Sequence, residues 1–290
     1  MTHIGSGVWE GAATPNATQI AATLTFLGLF SRGTFLQAGA DKVNGAITTA
    51  QRPVVFSDSL TGAASFQFGV PVAPGTLVSL FGANLSAADA VPSALPLPTS
   101  LAAVEVRLND VPIPLLFAGL SQVNAQIPYA LDPDTEYQLE IRRGITIAPP
   151  QPVVIAQARP GVFTVDQSGT GQGHIYRAFT DGTQRLADAA NAAATGDVLV
   201  IYCNGLGLTN PAVTAGAAAP FSPLAVTANT VAVTIGSLNA AVAFAGLAPG
   251  FAGLYQINAV VPPGISPSAA ASVVLTVAGQ SSVSVTMGIR

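Results

Sequence analysis

Two stretches of this chain repeat each other, and that repetition constrains the fold more than any other feature. Phe117-Ala118-Gly119-Leu120, followed by Gln122-Val123-Asn124-Ala125-Gln126-Ile127-Pro128, returns as Phe244-Ala245-Gly246-Leu247 and then Gln256-Ile257-Asn258-Ala259-Val260-Val261-Pro262. Upstream, Pro74-Gly75-Thr76-Leu77-Val78-Ser79-Leu80-Phe81-Gly82-Ala83-Asn84-Leu85 matches Thr195-Gly196-Asp197-Val198-Leu199-Val200-Ile201-Tyr202-Cys203-Asn204-Gly205-Leu206. Apolar residues alternate with period two inside both copies, the pattern of half-buried strands. A repeat of this kind predicts two copies of one β module rather than one enzyme core.

Length agrees with that reading, because 290 residues leave room for two domains of about 100 to 150 residues, each with its own core. Charge is the unusual quantity. Only 8% of residues are charged and 50% are hydrophobic, where about 25% charged is ordinary. With a single lysine, Lys42, the surface must be made of Thr, Ser, Ala, Gly and Asn. Such a coat suits an extracellular protein, and suits even better a subunit that covers much of its surface in an assembly. The ten basic residues are scattered under a net charge of −4, which argues against a nucleic-acid partner. No stretch approaches the roughly 18 apolar residues of a membrane span. Residues 20–30, with Ala38-Gly39-Ala40 behind them, have the outline of an export signal, but Glu10 and the lack of Lys or Arg ahead of them argue against it. The lone Cys203 excludes an intramolecular disulfide framework and a cysteine zinc cluster; aligned with Gly82, it reads as a small buried strand residue.

Composition divides the chain into a leader, residues 1–52, and two modules, residues 53–166 and 167–290. The leader holds one strand signal, residues 19–27, rich in β-branched and aromatic side chains. Ser168-Gly169-Thr170-Gly171-Gln172-Gly173 reads as a flexible connector between the modules. Val231-Ala232-Val233-Thr234-Ile235 and residues 241–244 flank Gly236-Ser237-Leu238-Asn239 as a hairpin, and Val104-Glu105-Val106-Arg107-Leu108 meets Asn109-Asp110 in the same way. Residues 273–277 and 282–287 read as closing strands, and residues 184–194, rich in alanine, as the one helical segment or equally a loop. The fold class is therefore all-β: two tandem β-sandwiches with an N-terminal strand-containing extension.

These motifs resemble the immunoglobulin-like fold of plexins and transcription factors, the IPT/TIG domain. Residues 62–290 more closely resemble the Solibacter-type C-terminal domain family of secreted bacterial proteins. That resemblance rests on Gly62-Ala63-Ala64-Ser65-Phe66, Val72-Ala73-Pro74-Gly75, Ala158-Arg159-Pro160-Gly161-Val162-Phe163-Thr164, and residues 169–173 and 244–258. It implies an exported pair of immunoglobulin-like sandwiches, outside the cell or on its surface, and brings no catalytic residues with it. Where that family usually places other domains ahead of the pair, this sequence has the leader.

Catalytic chemistry has little to work with. General acid–base or nucleophilic catalysis usually needs a histidine, and there are two, His3 and His174. No Gly-x-Ser-x-Gly elbow is present, so His174 and Asp181 read as loop residues rather than parts of a triad. Asp132, Asp134 and Glu136 could supply oxygen ligands to Ca²⁺; a solvated turn before a strand is the simpler reading, since the second copy has the acid-free Pro263-Gly264-Ile265-Ser266-Pro267-Ser268 there. Gly169, Gly171 and Gly173 lack the spacing and the lysine of a phosphate loop. Trp9, Tyr129 and Tyr255 could form a sugar-stacking platform, or lie in a core or interface. The expectation is a non-enzymatic, extracellular structural or adhesive protein without metal or cofactor that assembles with copies of itself into a filament or surface layer, the leader strand adding Ile20, Ala22, Leu24 and Phe26 to an open sheet edge or folding back on its own first module. The rival expectation is a module that binds surface polysaccharide, with residues 210–230 as the loop to examine.

Overall fold

The computed structural model describes the backbone of residues 2–5, 8–10, 19–32 and 35–47, and the side chains as well over residues 52–290. All regular elements among them are strands, so the chain is all-β. In the leader, β1 (Thr2–Gly5) pairs with β2 (Val8–Glu10), and β3 (Gln19–Arg32) forms a long antiparallel hairpin with β4 (Phe35–Ile47). The strand expected at residues 19–27 is thus the first part of β3. Its partner β4 has little strand propensity to announce it, with Ala38, Gly39, Ala40 and Gly45 in its run. The side chains of the interface candidates Ile20, Ala22, Leu24 and Phe26, and those of His3 and Trp9, lie outside the described residues.

The first repeat contributes β5 (Val54–Gly62), β6 (Leu77–Ala83), β7 (Val104–Leu108), β8 (Val111–Pro112), β9 (Leu115–Ala118), β10 (Gln122–Gln126), β11 (Thr135–Arg143), β12 (Thr146–Ile147) and β13 (Gln151–Ile155). One sheet runs β5-β6-β10-β9; in the other, β11 pairs with β7, β12 and β13, and β8 lies beyond β7. Period-two alternation sends Val78, Leu80, Leu115 and Val123 of the first sheet against Val106, Leu108, Leu139 and Ile141 of the second.

The second repeat takes in residues ahead of 167, since Ala158 and Val162 pack in its core and β14 pairs with β17; it contributes β14 (Gly161–Val162), β15 (Ile175–Ala178), β16 (Gln184–Leu186), β17 (Val198–Asn204), β18 (Thr209–Asn210), β19 (Val226–Thr227), β20 (Val231–Ile235), β21 (Leu238–Leu247), β22 (Tyr255–Val260), β23 (Ser268–Val277), β24 (Gln280–Ser281) and β25 (Val285–Ile289). Here the strands form one continuous sheet folded around a second core that includes Leu199, Ile201, Tyr255, Ile257, Val273 and Leu275. The difference comes from β21, which pairs with both β20 and β22. In the first repeat the corresponding run contains Pro112 and Pro114, which lack the N–H that a ladder needs, and it splits into β8 and β9. Both hairpins turn on two residues of positive φ, Asn109 and Asp110 in one, Gly236 and Ser237 in the other, as a two-residue turn of this hand requires.

Two expectations are corrected. Residues 184–194 are not helical: β16 pairs with β15, and Asp188 Oδ1 then accepts from the N–H groups of Ala190 and Asn191, closing a local turn that competes with helix. Nor is the glycine-rich segment 168–173 a free connector. Gly173 N–H donates to Thr286 O at 2.9 Å, Thr286 N–H to Gly171 O at 2.6 Å, and Gly169 N–H to Thr164 Oγ1 at 3.0 Å. Gly169, at φ +79, packs so closely that a Cβ would stand 2.3 Å from Ser65 O; its glycine serves packing rather than freedom.

The two cores meet at a buried polar joint. Asn204 donates through Nδ2 to Leu77 O at 2.7 Å and accepts at Oδ1 from Leu77 N–H at 3.2 Å. Gln126 Oε1 accepts from Gly216 N–H at 2.6 Å, and its Nε2 donates to Tyr129 Oη at 3.2 Å. Tyr255 Oη donates to Gly207 O. By the alignment, Asn204 stands where the first repeat has Ala83, and Gln126 where the second has Val260. Each repeat therefore carries only its own half of the joint.

Burial pushes the Tyr129 phenol up to about 12, and burial together with Tyr129 pushes Tyr255 well above its ordinary value. The unfolded chain ionises both near 10. The folded state then holds protons that the unfolded state has lost, so the stabilisation is whole below pH 10 and declines as pH rises through about 12. Tyr129 alone accounts for roughly 2 to 3 kcal/mol of that decline. The buried Cys203, whose thiol is likewise raised by burial, adds to the same loss. Urea unfolding followed from pH 9 to 12 should show the loss, and Tyr129→Phe should lessen it, the remainder belonging to Tyr255 and Cys203; an unchanged slope in that variant contradicts the assignment.

Candidate functional site

Beside the joint lies an open groove of about 590 Å³, within the usual range for ligand sites. Strands β6 and β10 contribute Leu77, Ser79, Gln122 and Asn124, the outward positions left when Val78, Leu80, Val123 and Ala125 face inward. Ala64 and Phe66 come from the turn after β5; Phe163, Thr164, Gln167, His174 and Tyr202 come from the second repeat. Phe251 and Leu254 belong to residues 248–254, an insertion in the second copy that the first copy lacks.

The groove is lined by amides, hydroxyls, rings and aliphatic carbon, with no Asp, Glu, Lys or Arg. Gln122 Nε2 donates to Asn124 Oδ1 at 2.7 Å, which fixes both amides and leaves Gln122 Oε1 and Asn124 Nδ2 without a protein partner among the described residues. His174 Nδ1 lies 2.8 Å from Tyr176 Oη, with the two rings stacked at 6.0 Å and 13°. The Tyr176 ring meets that of Tyr202 edge-on at 5.8 Å, so the three rings brace one another. Such a site can exchange hydrogen bonds with hydroxyl groups and offer ring faces to C–H surfaces. It offers no counter-ion for a charged ligand.

The expected site residues fall elsewhere, with one exception. His174, read as a loop residue, stands in the loop just ahead of β15 and lines the groove, while Asp181 sits in the β15–β16 turn and accepts from Thr183 N–H at 2.9 Å. Asp132, Asp134 and Glu136 are exposed at the start of β11, Glu136 Oε1 accepting from Gln138 at 3.3 Å. Among the described residues, no three His, Cys, Asp or Glu side chains gather where they could hold a metal ion. Tyr129 and Tyr255 are joint residues, not a stacking platform. Cys203 is buried, and burial raises its thiol pKa. Residues 210–230 clamp the joint through Gly216, whose carbonyl also accepts from Leu97 N–H at 2.8 Å, and line none of the groove. Gln122, Asn124, Phe163 and Tyr202 were the residues to find. For Gln122 and Asn124 the signal is the Gln-x-Asn motif at outward positions of an alternating strand, in both copies; Phe163 and Tyr202 carry none.

Among the described residues no helix is long and apolar enough to cross a membrane. No family model matches the chain, and no curated protein matches it. Among solved structures it is similar to a surface glycan-binding protein from Prevotella bryantii, at 9% identity over 80% of this chain and 41% of that one, with a TM-score of 0.26. It is also similar to tandem Ig repeats of Dlar, at 8% identity over 83% of this chain and 96% of that one, TM-score 0.18. A third is an endo-fucoidan hydrolase of glycoside hydrolase family 107, at 10% identity over 93% and 34%, TM-score 0.19. The chain spans less than half the length of the glycan-binding protein. At this level the likeness assigns no residue and no activity to this chain.

Proposed function

We propose that this protein is a non-enzymatic binding module, working outside the cell or on its surface, that takes a neutral, hydroxyl-rich polymer, a polysaccharide, in the groove beside its joint. One observation carries the reading: a groove of about 590 Å³ lined by oriented amides and aromatic rings, without a charged side chain. A neutral sugar asks for these groups, hydrogen-bonding partners for its hydroxyls and flat apolar surface for its C–H faces. A phosphate or carboxylate would have to shed water with no cation to meet it. The charge-poor composition and the resemblance to an exported family support a place outside the cell. The full chain is expected to be retarded in native gels containing neutral xylan, galactomannan, mixed-linkage β-glucan or amylopectin, and not in gels containing polygalacturonate. Retardation by the acidic polymer alone would sink the reading.

Self-association is the second reading, favoured by the leader. Strands β3 and β4 pair with each other and with no other strand among the described residues. A two-stranded ribbon is marginal alone in water, and its outer edges can accept a further strand. Light scattering should then give oligomers for the full chain and a monomer for a chain starting at Arg52. Equal masses for the two would end the idea.

A further inference from the structure

We infer that the second repeat carries a second subsite for the same polymer, formed by Tyr202, Gln256, Asn258 and Phe244 on the outer face of β17, β22 and β21. The inference rests on the polysaccharide reading. In the first repeat Gln122 stands opposite Phe81, and Asn124 opposite Phe117. In the second, Gln256 stands opposite Tyr202, and Asn258 opposite Phe244. Both amide pairs are locked alike, Gln122 to Asn124 at 2.7 Å and Gln256 to Asn258 at 2.8 Å. In each, the second repeat included, the glutamine Oε1 and asparagine Nδ2 have no protein partner among the described residues. All eight side chains are half-buried, facing outward.

The ring geometry is duplicated too. A Cβ on Gly119 would stand 2.7 Å from Phe117 Cζ, and a Cβ on Gly246 would stand 2.7 Å from Phe244 Cζ. Each phenylalanine ring thus folds across the glycine two residues on, where Asp89 Oδ1 at 2.8 Å from Gly119 and Ala225 O at 2.3 Å from Gly246 also leave no room for a Cβ. Outward neighbours on the same sheets have diverged, Gln126 against Val260 and Ser79 against Val200. An outward amide pair adds little to a core, so packing alone does not account for it. Tyr202 joins the two subsites, since it lines the groove and also stands opposite Gln256. A chain leaving the groove across Tyr202 runs on to Gln256 and Asn258. The ligand is therefore a repeating polymer longer than the groove.

The test uses the full protein and whichever of xylan, galactomannan, mixed-linkage β-glucan or amylopectin retards it, with oligosaccharides cut from that polymer. The double variant Gln256→Ala, Asn258→Ala should weaken polymer binding about tenfold, the loss of one linked contact, while leaving the shortest bound oligosaccharide unaffected. Wild-type polymer affinity in that variant overturns the second subsite and leaves the groove reading standing. No retardation of wild type by any of the four overturns both. A measurement without substitution guards against misfolding: wild-type affinity should rise in two steps with oligosaccharide length, and a single plateau overturns the inference.

Discussion

Replacing Gly75 by valine is expected to part the two repeats and to abolish the groove. Gly75 has φ +76, and a Cβ there would lie 2.2 Å from Tyr129 Cε1 and 2.7 Å from Tyr255 Oη. Neither ring can retreat. Tyr255 Oη is bonded to Gly207 O, and Tyr129 Oη accepts from Gln126, whose other end is tied to Gly216 N–H. Left-handed backbone at a β-branched residue costs about 1 to 2 kcal/mol, and overpacking adds about 1 to 3 kcal/mol. The repeat supplies the control. Gly196, the equivalent residue, has φ +84 and no atom within 4 Å of its Cβ position, so Gly196→Val should show the backbone cost alone. Urea unfolding should give the larger loss for Gly75→Val, and small-angle scattering a larger radius of gyration for that variant only. Equal losses with unchanged dimensions would mean that the joint is not held as described.

The second large effect is expected at Tyr202. It is braced by Tyr176 and reaches both the groove and the outer face of β22. Tyr202→Ala should weaken polysaccharide binding by about 2 kcal/mol, a thirtyfold loss typical of a central aromatic contact. Tyr202→Phe should keep most of the affinity. The hydroxyl makes only a 3.5 Å contact to Gln184, and the first repeat uses Phe81 at this position. Affinity gels read both outcomes. Wild-type retardation of the alanine variant, with its fold intact by circular dichroism, would remove Tyr202 from the site.

Strand content, both hairpins and the repeat itself were legible in the sequence, because period-two alternation and turn residues are local signals. Residues 168–173 were not, because glycine chosen for close packing against Ser65 looks the same as glycine chosen for freedom. The joint was hidden for a related reason. Asn204 and Gln126 depart from their counterparts Ala83 and Val260, and a departure shows its meaning only once the partner backbone of Leu77 or Gly216 is in place. His174 is a loop residue, as expected, but its place beside Tyr176 and Tyr202 comes from the pairing of β15 with β17, far apart in sequence. Gln122 and Asn124 lie in the outward half of the repeat's alternation, where period two marks exposure and assigns no role.

The most direct measurement follows the side-chain amide resonances of Gln122 and Asn124 while the retained neutral polysaccharide, or an oligosaccharide cut from it, is added. Both pairs of NH₂ signals should shift in step with binding, while those of Gln126 and Asn204, engaged in the joint, stay in place. Binding that leaves Gln122 and Asn124 unmoved would contradict the proposal.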